Sequence, residues 1–170
     1  EPEIEPLESS KFTPARLAAL GKAFPGERLV IPAGSPKARN NDCDYMFRPD
    51  TTFAYYTGLG QDYEAGAVLV LNPLDPDSPE AKAGKTHEAE LFVAPRADTA
   101  TQDFFMNAHY GEYWVGPRAG LKEMTAMTGI ETHDIAQLAD ALSKDVGAEA
   151  GAVRVRVISD ADPQVTSLVE

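Results

Sequence analysis

Residues 39–59 read R-N-N-D-C-D-Y-M-F-R-P-D-T-T-F-A-Y-Y-T-G-L, a run with five charged side chains, three of the six tyrosines and two phenylalanines. Its aspartates, Asp42, Asp44 and Asp50, lie close enough in sequence to suggest an acid/base pair or a loop for a hard cation. A calcium loop would need the D-x-[DN]-x-[DN]-G order with a closing glutamate, and the run supplies neither the glycine nor the spacing. A density of charge and aromatic rings beyond what surface loops need marks the run as either a site or an interface. A second dense element is Tyr110-Gly-Glu-Tyr-Trp-Val-Gly-Pro-Arg118, which carries the only tryptophan, Trp114. Tryptophan beside arginine is a binding hot-spot composition, with Arg118 able to reach a carboxylate, although taken alone Trp114 reads as a roof over the core edge.

Other chemistry finds little apparatus. The histidines, His87, His109 and His133, fall in three separate segments read as loops or termini, without the H-x-x-x-H pairing that sets two imidazoles on one helical face. Each reads as a surface or internally satisfied histidine rather than a ligand. There is no G-x-S-x-G elbow, no phosphate-cradling G-x-x-x-x-G-K-[ST] and no G-x-G-x-x-G. Cys43 is the only cysteine, which rules out an internal disulfide and a cysteine zinc cluster, fits a reducing cytoplasm, and reads as a small apolar side chain.

The elements that must position these residues alternate between helix and strand. Thr13 is an expected N-cap with Pro14 at the first helical position, and Leu17, Leu20 and Phe24 repeat at spacings of three and four before Pro25-Gly26. Arg28 to Ile31, the aromatic run Phe53 to Thr57, Gly66 to Leu71 and Glu90 to Val93 read as strands of one sheet. Gly66 to Leu71 has no polar alternation, so it is expected at the centre with both faces covered. Asn72 to Thr86, with its three prolines, reads as a surface loop. Ala97 to Asn107 is expected to hold a short helix. Leu121, Met124 and Met127 mark another, ending at Gly129, and Ile135, Leu138, Ala139 and Leu142 mark a third. Val153 to Ile158 alternates valine with arginine, the pattern of a strand with one covered face.

Composition sets the outer bounds. At 170 residues, 43% apolar and 25% charged, the chain fits one globular domain with a core. A formal charge of −12 repels phosphate backbones and anionic lipid headgroups, and no apolar stretch approaches bilayer length, so neither nucleic acid nor a membrane is expected as partner. Residues 1–11, rich in glutamate and proline, read as a flexible acidic tail. The domain is expected over 12–160, with 161–170 as the start of a linker.

Taken in order, R-N-x-D, then Y-x-F-R-x-D-T-x-F-x-Y-x-T-G, then an A-V-L-V-L strand and the downstream G-E-x-W-x-G-x-R element resemble the N-terminal domain of the aminopeptidase P family. The resemblance implies an α/β fold with a mixed β-sheet flanked by helices, ribonuclease-H-like. It implies a non-catalytic domain of an Xaa-Pro aminopeptidase, an enzyme that releases the N-terminal residue preceding proline. Two divalent metals, usually manganese, would bind in a separate C-terminal catalytic domain, so no metal ligand and no cofactor are expected in this chain.

By the same resemblance, Asp42 and Trp114 would lie at the mouth of the substrate cleft, where a carboxylate meets a peptide α-amino group and an indole stacks on a side chain or proline ring. Arg39 and Arg118 join them as cleft residues, and Asp44 competes with Asp42 for the position facing the cleft. The implied partners are the chain's own catalytic domain, further copies in a homo-oligomer, and peptide substrate. Two alternatives stay open: the corresponding domain of a prolidase or creatinase, and a stand-alone binding or oligomerisation module.

Overall fold

A computed structural model describes residues 4–35, 38–40, 43–44, 47–60, 65–95, 119–146 and 153–170. Its main sheet has five strands: β1 (Glu27–Pro32), β4 (Val68–Pro73), β5 (His87–Val93), β6 (Glu131–Asp134) and β7 (Arg154–Val157), in the order β6-β5-β4-β1-β7. Strand β4 runs antiparallel to both of its neighbours, β1 and β5, whereas β6 is parallel to β5 and β7 is parallel to β1. A separate two-stranded antiparallel ladder joins β2 (Ala38–Asn40) to β3 (Cys43–Asp44).

The sheet is covered on both faces, because its strands alternate between two apolar sets. Leu29, Ile31, Leu69, Leu71, Leu91 and Val93 form one face with Phe53, Leu59, Met124 and Ile130. Above them lie α1 (Thr13–Ala23), α2 (Thr51–Thr57) and α4 (Leu121–Thr128). On the other face Val30, Val68, Val70 and Phe92 pack against Leu138, Leu142 and Val165 from α5 (Leu138–Ser143) and α6 (Pro163–Val169). Strand β4 sits third of five with Val68 to Leu71 fully buried, the central position its unbroken apolar run predicts. Strand β7 alternates exposed arginine with half-buried valine, as one covered face requires.

Several expectations need correction. Phe53 to Thr57 is helix α2, not a strand. Asp50 accepts a hydrogen bond from the Thr52 N–H at 2.9 Å as its N-cap, Gly58 closes it in the left-handed conformation, and Phe53 and Thr57, four residues apart, are its buried face. Thr13 is the first residue of α1 rather than its cap, its hydroxyl donating to the Ser10 carbonyl at 3.2 Å. His87 and His133 lie in strands β5 and β6, not in loops.

The segment read as a loop after β4 contains a one-turn helix, α3 (Pro79–Lys82), capped by Ser78. Strand β6 went unread because it is four mostly polar residues, Glu131 to Asp134, at the sheet edge. At the N-terminal end, the Leu7 N–H donates to the Met127 carbonyl at 2.9 Å and the Ser9 hydroxyl to the Gly58 carbonyl at 3.0 Å, so this part of the expected tail is docked. At the other end, the expected linker holds α6, capped by Asp162 and packed through Val165. The helix expected over 97–107 lies outside the described residues.

A candidate functional site at the ends of strands β1 and β7

Adjacent parallel strands such as β1 and β7 send their chain out at the same end of the sheet, and the space between the two departing loops is the usual place for a ligand in α/β folds. Here that space is a crevice of about 390 Å³ lined by Ala33, Gly34 and Ser35 after β1, Phe47 to Thr51 from the signature run, and Asp160 and Ala161 after β7.

Backbone bonds fix its walls. The Ala33 N–H donates to Ala67 at 2.8 Å, the Asp50 N–H to Ala33 at 2.9 Å and the Gly66 N–H to Gly34 at 2.8 Å, tying the signature run and the approach to β4 onto the end of β1. Gly34 has φ +91°, and a Cβ there would lie 2.9 Å from the Ala161 carbonyl oxygen, so only glycine lets the two loops approach so closely. Asp162, buried behind the crevice, caps α6 by accepting from the Gln164 N–H at 2.9 Å, and takes the Ser35 hydroxyl on its other oxygen at 3.3 Å.

Arg48 and Thr51 are exposed and Asp50 is half-buried with one oxygen committed to the α2 cap. Among the described residues no group of three or more histidine, cysteine or carboxylate side chains is arranged to hold a metal ion. His87 spends both ring nitrogens internally, Nε2–H donating to the Glu27 carbonyl at 2.7 Å while Nδ1 accepts from the Thr86 hydroxyl at 3.1 Å, the satisfied histidine expected. His133 Nε2 faces Glu131 at 3.5 Å and Glu90 at 3.8 Å.

Of the cleft residues expected from sequence, Asp42, Trp114 and Arg118 lie outside the described residues, as does His109, and Arg39 is placed only by its backbone in β2. Asp44 pairs with Ala38 across the small ladder. Sequence reasoning passed over Gly34, Ser35, Asp160 and Asp162. The Pro-Ala-Gly-Ser-Pro stretch at 32–36 and the Asp162-Pro163 pair were visible as turn and cap signals, but nothing in the sequence joins two loops more than a hundred residues apart.

A five-stranded mixed sheet with helices on both faces and a crevice at one end defines a mixed α/β domain. The family model "Aminopeptidase P, N-terminal domain" matches residues 14–153, and the chain belongs to that family. It is 39% identical over 145 residues to Xaa-Pro aminopeptidase 1 of Streptomyces coelicolor, an alignment covering 85% of this chain and 27% of that protein. Xaa-Pro aminopeptidase 2 of the same organism is 33% identical over 167 residues, covering 98% of this chain and 32% of the relative. An Escherichia coli aminopeptidase P structure shares the fold with a TM-score of 0.70 at 22% identity, covering 96% of this chain and 32% of that one. The chain therefore spans roughly a quarter to a third of the length of these relatives.

Proposed function

We propose that this domain is the non-catalytic N-terminal part of an Xaa-Pro aminopeptidase, walling the substrate cleft and contributing to contacts between subunits of a homo-oligomer. The observation that supports the reading best is local. Phe47 to Thr51 of the signature run, which carries the family resemblance, line the crevice at the ends of β1 and β7. The names of its relatives favour this activity over that of a prolidase or creatinase.

Hydrolysis in the proposed enzyme would use two divalent metals, manganese the expected ion, which polarise the scissile carbonyl and supply a hydroxide nucleophile when bound. The residues described here do not fit that role, since no donor set converges among them. The chain's own contribution is positioning. In this reading Asp42 meets the peptide α-amino group, Trp114 stacks on a side chain or proline ring, Arg118 reaches a substrate or loop carboxylate, and Arg39 holds the loop that carries Asp42.

The test is Trp114→Ala in the longer enzyme, with rate and melting temperature measured on the same preparation. The reading expects kcat/KM for an Xaa-Pro peptide to fall by about tenfold or more with the melting temperature kept. A collapse of the melting temperature with kcat/KM per folded molecule unchanged would return Trp114 to the core-roof role.

A further inference from the structure

Helix α2 carries the crevice outward. Thr51 lines the crevice, and Tyr55, four residues on and about 6 Å along the axis, lies on the same exposed face of the helix. Tyr55 is 50% exposed, and its ring lies under the Arg16 guanidinium, whose carbon is 4.2 Å from the ring centroid and whose Nη1 donates to the Tyr55 carbonyl at 3.0 Å. The Phe12 ring centroid is 5.9 Å from the same guanidinium carbon, and Phe12, at the start of α1, is 56% exposed. Two half-exposed rings beside one guanidinium form a binding hot-spot composition, and the held cation stands out against a chain net charge of −12.

We propose that this strip, Thr51–Tyr55–Arg16–Phe12, is a track for an extended peptide leading out of the crevice. Tyr55 and Phe12 offer faces for apolar or proline side chains, and Arg16, with one of its five N–H donors committed to the Tyr55 carbonyl, offers the rest to a carboxylate such as a peptide C-terminus. Continuity with the crevice and the sign of the charge select a peptide over a second copy of this acidic chain. The inference rests on the reading of the crevice as part of a peptide cleft, and assigns the part of a substrate furthest from the scissile bond to the strip.

The test titrates the 170-residue chain with a proline-containing apolar hexapeptide bearing a free C-terminal carboxylate, following backbone amide shifts by NMR. Saturable shifts are expected at Phe12, Arg16, Thr51 and Tyr55, with affinity about threefold or more lower for the C-terminal amide of the same peptide and about tenfold lower for the Phe12→Ser, Tyr55→Ser double variant at unchanged melting temperature. Shifts elsewhere, equal binding by the double variant, or self-association through the strip in sedimentation without peptide would each overturn the track. Xaa-Pro cleavage by the longer protein tests the underlying reading separately: cleavage there without binding here rejects the track alone, and no cleavage there rejects the reading.

Discussion

The α-carbon of Gly34 and the carbonyl of Ala161 meet so closely that a Cβ added at Gly34 would stand 2.9 Å from the Ala161 oxygen. The contact brings the loop after β1 against the loop after β7 and sets the back wall of the crevice. Because the obstructing atom is backbone and φ is +91°, no rotamer change relieves a substitution. Gly34→Ala is expected to destabilise the domain by about 1–3 kcal/mol. Urea unfolding of the variant beside the parent chain measures it.

Arg28 supports the opposite face of the sheet. It is buried on β1, with Nε donating to Asn72 Oδ1 at 2.8 Å and Nη1 donating to the carbonyls of Leu142 at 2.9 Å and Lys144 at 2.6 Å, at the end of α5. Burial pulls its pKa below the ordinary arginine value, opposed by the charges of Asp145 and Glu90. The residue stays ionised, as arginine does in proteins, and its donors satisfy carbonyls at the end of α5. Arg28→Met keeps much of the volume and removes the donors, and is expected to cost about 2–4 kcal/mol, read by thermal or urea unfolding.

Asp50 is expected to matter to α2 rather than to acid–base chemistry. Asp50→Ala removes the cap on Thr52 and is expected to cost about 1 kcal/mol, whereas Asp50→Asn keeps an acceptor and most of the stability. Equal losses in the two variants by urea unfolding would show that the charge, not the cap, is what counts.

Glu27 and Arg156 give the fold a small acid-sensitive component. Arg156 donates to Glu27 through Nε at 2.9 Å and Nη2 at 3.2 Å, and this hydrogen-bonded pairing holds the Glu27 carboxyl below the usual carboxylate range. A lowered folded-state pKa contributes stability that is present above the unfolded value, about 4.3 for glutamate, and is lost as pH falls through the lower folded value. Glu27→Gln should therefore flatten the stability-versus-pH curve below about pH 4.3 and leave its shape at neutral pH unchanged. Because the pair is at the surface, added salt should shrink the difference.

Much of the fold was legible because burial left periodic traces. The unbroken Gly66 to Leu71 run marked the central strand, the Val/Arg alternation at 153–158 marked a strand with one covered face, and Gly129 marked the end of α4. Helix α2 was misread because Phe53, Tyr55 and Tyr56 favour strands, while the stronger signals were the terminal ones, Asp50 before the first turn and Gly58 after the last. Local propensity yielded there to capping and to the burial of Phe53 and Thr57 on one helical face. The crevice escaped sequence reading for a different reason: it is made by the approach of residues 33–35 and 160–161, and one-dimensional patterning carries no term for that pairing. The cleft roles of Asp42 and Trp114 rest on motif resemblance alone, so they remain the residues whose substitution says most about the cleft.

The central claim is that these 170 residues position substrate and perform no hydrolysis themselves. The direct measurement is release of the N-terminal residue from an Xaa-Pro peptide with added manganese, by the purified chain and in parallel by a longer polypeptide in which the chain is joined to the catalytic domain proposed for it. The account predicts turnover by the longer polypeptide and none by the chain. Turnover by the chain, rising in proportion to its concentration and surviving repurification, would contradict it.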